Sequence, residues 1–295
     1  MKARTRIGAV IVTAVVLAGL ASQIPLARLA AAFRDADYAL FLAAMLPNTL
    51  FYFCWDTLIL KVTIGWFHGE VPYGELLPVR AASYVVGFFN TNVGRGALAA
   101  YLWRRLDTPF LELGGTVIFL VLTDYTQLVA WAVLGVFGFR SEITTSLLPV
   151  AAGVALFWLL FFGCTRLNVR PARWQLFRTF RRTTAAQFFS IVMLRAPMFL
   201  VSLAAHYYAA RAFGIHIPFA PMLTFLPVIF MAAALPVTIA HLGTTQAAWI
   251  YFFGAYASAP QLLAFSLAAH LTFTITRALL GLVWLPVAYG ELVPG

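Results

Sequence analysis

The chain is almost continuously apolar, and a few polar residues stand inside its apolar runs: Asn90, Asn92, Arg95, Asp124, His241, Gln246 and Arg277. Arg277, in "TFTITRALLGL", lies in a stretch long enough to cross a bilayer. An ionisable residue there costs several kcal/mol, about 2.5–3.5 at a helix centre, unless it is paired or hydrated. Three readings are open for Arg277: contact with a lipid headgroup, a structural ion pair with Asp124 or Asp56, or snorkelling to the interface. Arg195, two residues before Pro197, poses the same question. Arg95 carries a guanidinium fork that matches phosphate oxygens, or anchors the chain to the inner leaflet. Asn90 and Asn92 can bind substrate, but they equally well satisfy backbone groups freed by a broken helix. The chemistry these residues offer together is the binding of an anion at membrane depth.

Other chemistries lack their residues. Cys54 and Cys164 both sit in apolar runs and read as small hydrophobes. His206, His241 and His270 have no ligand spacing, so neither a metal nor a cofactor is expected. No serine–histidine or paired-carboxylate signature marks an enzyme. The excess of Lys and Arg, net +10, is split among membrane-flanking loops. It fits the positive-inside rule better than nucleic-acid binding.

The elements that position these residues are spans. Of the 295 residues 62% are hydrophobic and 10% charged, against about 25% charged in a soluble domain. The fold class expected is all-α and polytopic, since a β-barrel needs short alternating segments. Full spans are expected near 7–24, 38–60, 113–138, 146–164, 184–210 and 260–288. The start, "MKARTRIGAVIVTAVVLAGLAS", reads as the first span, with a signal peptide as its rival. The segment 165–183 is a basic loop without an acid. Trp174, Phe177 and Phe180 recur every three residues in it, so part of it can lie as a helix among headgroups.

Two apolar regions, 79–103 and 219–257, do not read as simple spans. The first is broken by "NTNVGRG" and the second by "LPVTIAHLG". If 79–103 crosses once, the arginines of 165–183 end up outside. If it enters and returns on one side, only Arg28, Arg34, Arg140 and Arg211 are outside, and both termini are cytoplasmic. Two re-entrant helical hairpins from opposite faces are therefore expected, with inverted repeats and a protected cavity where the backbone is broken. The whole chain, 1–295, reads as one membrane domain.

These segments resemble the lysylphosphatidylglycerol synthase transmembrane family, a flippase-like domain. "FNTNVGRGALAAYLWRR" is similar to the family's Asn-rich Pro-Gly-Arg-x-Gly-Glu break. "LPVTIAHLGTTQAAWIYFF" is similar to its second break, and Arg277 falls at the family's arginine position in the last span. The sequence departs from the family pattern: the first break lacks its proline, the Pro-Gly pair of the second is replaced around Ile239 to His241, Ala97 and Gln246 stand where glutamate is usual, and "TDYTQ" keeps only Asp124 of a Glu-Arg-x-x-Asp pattern. There is no room for the soluble aminoacyl-transfer domain, so lysyl transfer is not expected. The resemblance implies a plasma-membrane, flippase-like transporter of an amphipathic lipid, with an anionic or polyprenyl-type headgroup. The alternative is a non-transporting scaffold with a degenerate site. The expected site is a polar cavity lined by Asn90, Asn92, Arg95, Asp124, His241, Gln246 and Arg277.

Overall fold

The computed structural model describes residues 25–88, 91–139, 145, 147–166, 174–234 and 243–292. Among them the chain is helical, with no strand. The helices are α1 (Leu26–Arg34), α2 (Tyr38–Phe67), α3 (Tyr73–Gly87), α4 (Thr91–Arg105), α5 (Phe110–Gly138), α6 (Leu147–Arg166), α7 (Arg178–Arg182), α8 (Ala185–Arg211), α9 (Phe219–Ala234), α10 (Thr244–Phe253) and α11 (Ala259–Leu292). Four of them, α2, α5, α8 and α11, are long and apolar enough to cross a membrane. They correspond to the expected spans at 38–60, 113–138, 184–210 and 260–288; α8 is as long as expected and shifted by one residue, and the other three are longer. Helix α6 matches 146–164, but its apolar stretch, Leu148–Gly163, is short. The span expected at 7–24 lies outside the described residues.

Local chemistry sets these limits. The Asp37 carboxylate accepts from Leu40 N at 3.0 Å and starts α2. Thr184 and Gln187 form a reciprocal capping box that starts α8. Thr49, Thr57 and Thr63 donate their hydroxyls to carbonyls four residues back, so these polar groups are satisfied inside a buried face.

The first broken region folds as two antiparallel helices of fifteen residues, α3 and α4, each about 22 Å long. Glu75 and Arg105 pair at the base, 2.7 Å apart. Near the tip, Gly94 lies so close to α3 that a Cβ there would be 2.5 Å from the Ser83 carbonyl oxygen. Leu76 and Val79 pack with Leu98, Tyr101 and Leu102 along the seam. This hairpin is longer at its base than the expected 79–103, because Tyr73–Leu77 continue the helix.

The second region also doubles back. Helix α9 runs inward and α10 returns, with Phe225 stacked on Phe252 at 4.8 Å. Phe225 also meets Phe139, just beyond the end of α5, at 5.9 Å. Gly135 of α5 touches the Thr224 backbone, where no side chain would fit. The base of this hairpin therefore sits at the C-terminal end of α5, and the base of the first sits at its N-terminal end. The two helix pairs thus pack near opposite ends of α5. Both lean on α11. Ala81 meets Gly281, and Trp249 meets Phe265 at 4.9 Å. Residues 235–242 and 89–90 lie outside the described residues.

The basic segment 165–183 is described in part. Residues 167–173 lie outside the described residues, and the rest is one 3-10 turn and the five-residue α7. Trp174 is exposed, but Phe180 is 1% exposed and packs on Phe119 and Phe161. The three-residue aromatic spacing thus serves the core as much as the surface.

Candidate functional site

A polar core lies among α2, α3, α5, α8 and α11. Tyr52 and Asp56 stand one turn apart on α2, and Arg80 and Tyr84 one turn apart on α3. Both pairs therefore project on single helix faces. The Asp56 carboxylate accepts from Arg80 Nε at 2.7 Å and from its Nη2. On the other side, Arg195 donates to Asp124 Oδ1 at 3.3 Å, to Thr123 Oγ1 at 3.3 Å and to the Leu120 carbonyl at 2.8 Å. Arg195 is 4% exposed. The two pairs lie within electrostatic reach of each other.

Arg277 joins this core from α11. Its guanidinium carbon lies 3.6 Å from the centre of the Tyr84 ring, 5.0 Å from Phe273 and 5.5 Å from Tyr52. Arg80 reaches the same Tyr84 ring at 5.0 Å. One tyrosine ring is thus shared by two cations, each held by the ring quadrupole.

The expected site residues are distributed as follows. Asp124 and Arg277 both belong to the core, but they do not pair: Asp124 is neutralised by Arg195, so the ion pair considered for Arg277 and Asp124 is replaced by Arg195–Asp124. Arg95 sits on α4, beside a groove of about 270 Å³ between α4 and α5 whose other walls include Gly96, Gly114 and Val117. Its charge reaches Asp124 from that side. Gln246 is fully buried at the start of α10, where its Oε1 accepts from Gly243 N at 2.6 Å and its Nε2 has no partner. Gly243 has φ 96°, the left-handed region that favours glycine. Asn90 and His241 lie outside the described residues. Asn92 falls within the first turn of α4, and its side chain is not described.

Sequence reasoning missed Tyr52, Arg80 and Tyr84 and gave Arg195 too little weight. The signal available was the pair of i, i+4 spacings, Tyr52–Asp56 and Arg80–Tyr84. Arg80 lies near the start of an apolar run, where a charge is ordinary, so its position alone does not mark it.

A second polar cluster closes the base of the first hairpin. Glu112, 2% exposed, faces Arg178 at 2.9 Å, and Arg182 and His68 each at 3.7 Å. Arg182 also donates to the Phe67 carbonyl at 2.8 Å. His68 Nε2 and Thr116 Oγ1 are 2.6 Å apart, and Thr116 meets Thr179 at 2.6 Å. Burial holds the His68 pKa below its ordinary 6.5, against the raising effect of Glu112 and with the help of Arg182 and Arg178. Gly115 touches the Leu176 carbonyl oxygen at this seam. One acid from α5, Glu112, thus pairs with two arginines of the segment that has no acid of its own.

Among the described residues no group of histidine, cysteine and acidic side chains could hold a metal ion. No curated protein matches the chain. A family model described as the lysylphosphatidylglycerol synthase TM region matches residues 6–281, nearly the whole sequence. With its long apolar helices and the charged core between them, the chain belongs to the lysylphosphatidylglycerol synthase transmembrane family.

Proposed function

We propose that this membrane protein is a flippase-like lipid transporter, which draws the headgroup of an amphipathic lipid into the charged core while the tails stay in the bilayer. What supports this reading is that both helix pairs, α3–α4 and α9–α10, lean on one helix, α11, beside that core. Broken helices in a membrane need a protein or water cover, and transporters use such breaks to bring polar groups to mid-depth. The hairpin 73–105 is then re-entrant from the cytoplasmic side, and the end of the bundle carrying Arg104, Arg105, Arg178 and Arg182 faces the cytoplasm. The membrane is the plasma membrane, the ligand is an anionic or polyprenyl-type lipid, and no covalent chemistry is involved.

One observation favours a second reading, a non-transporting scaffold. Gln246 spends its oxygen on capping Gly243, and the Asp56 and Asp124 carboxylates are engaged by arginines. Purified protein in liposomes with fluorescent headgroup-labelled lipids, quenched from outside, separates the two. Transport predicts that more than half of the label becomes accessible in vesicles that hold protein. Label accessibility equal to that of empty vesicles, for both anionic and polyprenyl lipids, would refute transport and leave the scaffold.

A further inference from the structure

His68 follows the last residue of α2 and is walled in by α5 and α7. Its side chain is 1% exposed, and that of Glu112 is 2%. The two ring nitrogens are served unequally. Nε2 has Thr116 Oγ1 at 2.6 Å, whereas Nδ1 is buried without a hydrogen-bond partner. Opposite Nδ1 stands Glu112 Oε1 at 3.7 Å, too far for a hydrogen bond. The same Oε1 lies 3.7 Å from Arg182 Nη1, while Oε2 is 2.9 Å from Arg178 Nη1. One carboxylate oxygen thus stands at equal distance from a histidine ring and from a half-exposed arginine. Buried polar atoms without partners are rare in folded chains, and this one faces an acid.

From this juxtaposition we infer that His68 and Glu112 form a proton-operated latch on the basic segment: a proton taken from water by the His68 ring draws Glu112 Oε1 toward Nδ1 and away from Arg182. A neutral imidazole has one hydrogen for its two nitrogens, and an imidazolium has two. The imidazolium donates to Thr116 and to Glu112 together, whichever way the threonine hydrogens point. The charged groups whose fields reach His68 are Glu112 from α5 and Arg182 and Arg178 from α7. The cluster therefore holds one acid against two arginines, and the proton adds a third cation. It adds it next to Arg182, which donates to the carbonyl of Phe67, the neighbour of His68. His68 and Glu112 are buried and stay, whereas Arg182 is 48% exposed and turns to water. Phe180, packed on Phe119 and Phe161, keeps α7 on the bundle in both states, so the change is confined to its arginine-bearing face. Burial lowers the His68 pKa from 6.5; Glu112 opposes this and the two arginines add to it, so the latch opens below the usual histidine range. It works whether or not the protein transports lipid, and in the orientation proposed above the pH it reads is the cytoplasmic one.

The test is amide hydrogen exchange of the full chain in detergent micelles, read by mass spectrometry at about pH 8 and about pH 5 and corrected for the intrinsic pH dependence of exchange. In the wild type the peptide covering 174–183 exchanges roughly twofold to fivefold faster in acid, the worth of a half-exposed ion pair, while α8 keeps its protection. His68→Gln, which keeps a polar side chain but cannot take up the proton, abolishes this acid response. Glu112→Gln exchanges faster than wild type already at the higher pH and gains nothing further in acid. It decides the matter should His68→Gln fail to fold. An acid response of wild-type size in His68→Gln overturns the latch, because another group then takes the proton. So does a Glu112→Gln variant that keeps both the wild-type protection and the wild-type acid response. Exchange of 174–183 that stays level or slows in acid also overturns it, as does a loss of α8 protection in step with 174–183, which is general acid unfolding.

Discussion

Glu112→Gln removes one negative charge from the base of the first hairpin while keeping the side chain's shape. Glu112 is buried, so its charge has lost most of its hydration, and its compensation comes from Arg178 at 2.9 Å and from Arg182 and His68 at 3.7 Å. Breaking a fully buried pair costs about 3–5 kcal/mol, whereas an exposed pair is worth about 0–1. The arginine side chains are half-exposed, 51% and 48%, and recover water when the acid is gone. The amide oxygen still accepts from Arg178. The loss should therefore be about 1–2 kcal/mol. At about 2–4 °C per kcal/mol the melting temperature falls by about 2–8 °C. Thermal unfolding of the detergent-solubilised protein measures it. High salt should shrink the gap, because the arginine side of the cluster is open to ions. A variant as stable as wild type at low salt would refute the view that Glu112 fastens the basic segment to the bundle.

Other outcomes follow from the same structure. Because burial depresses the His68 pKa, the unfolded chain binds more protons below pH 6.5, so stability is complete above that pH and is lost as pH falls through the lower folded value. His68→Asn should flatten the fall in melting temperature between pH 7 and about pH 5.5, and equal slopes in the two proteins would argue against it. Gly94→Val places a branched side chain against the Ser83 carbonyl and should cost about 1–3 kcal/mol in thermal unfolding. Gly114→Ala, whose Cβ meets nothing, should be neutral or gain up to about 1 kcal/mol, and a large loss there would contradict the packing described. Arg195→Leu should destabilise by about 2–4 kcal/mol by stranding Asp124, and adding Asp124→Leu should restore more than half of the loss, with additive losses as the refuting result.

The architecture was legible where local physics decides it. Apolar runs of twenty or more residues have one outcome in a membrane, and α2, α5, α8 and α11 fall where those runs are. That 73–105 is two helices and not one span was legible through its polar, glycine-containing break. The pairings were not legible. Arg195 and Asp124 are separated by 71 positions and Arg80 and Asp56 by 24, and nothing local in either segment states its partner. A buried charge announces that it needs a partner but not which one, so Arg277 and Asp124 looked as suitable a pair as any. Glu112 is silent in the sequence for the same reason: an acid in the first turn of a helix is ordinary, and only the fold brings 178–182 against it.

The pairings divide the charged core into two kinds of residue. Arg80–Asp56 ties α3 to α2, and Arg195–Asp124 ties α8 to α5. Each pair sums to zero and each crosses a helix seam, which is what a structural ion pair in an apolar bundle must do to offset its desolvation. Arg277 crosses a seam too, but through ring faces, which hold a cation without cancelling its charge. It is carried by α11, the helix on which both hairpins lean, and the ring it stacks on belongs to α3 of the first hairpin. A shift of that hairpin would move Tyr84 off the guanidinium and expose an uncompensated cation at mid-depth, and an anionic headgroup is the group that would then lower its energy. In the proposed function, headgroup binding and hairpin position are thus linked through one side-chain contact: a ligand preferring one arrangement shifts the population toward it by its differential affinity and no more. The Arg195–Asp124 pair keeps α8 on α5 while this happens, and the Arg80–Asp56 pair resists the shift because it ties α3 to α2.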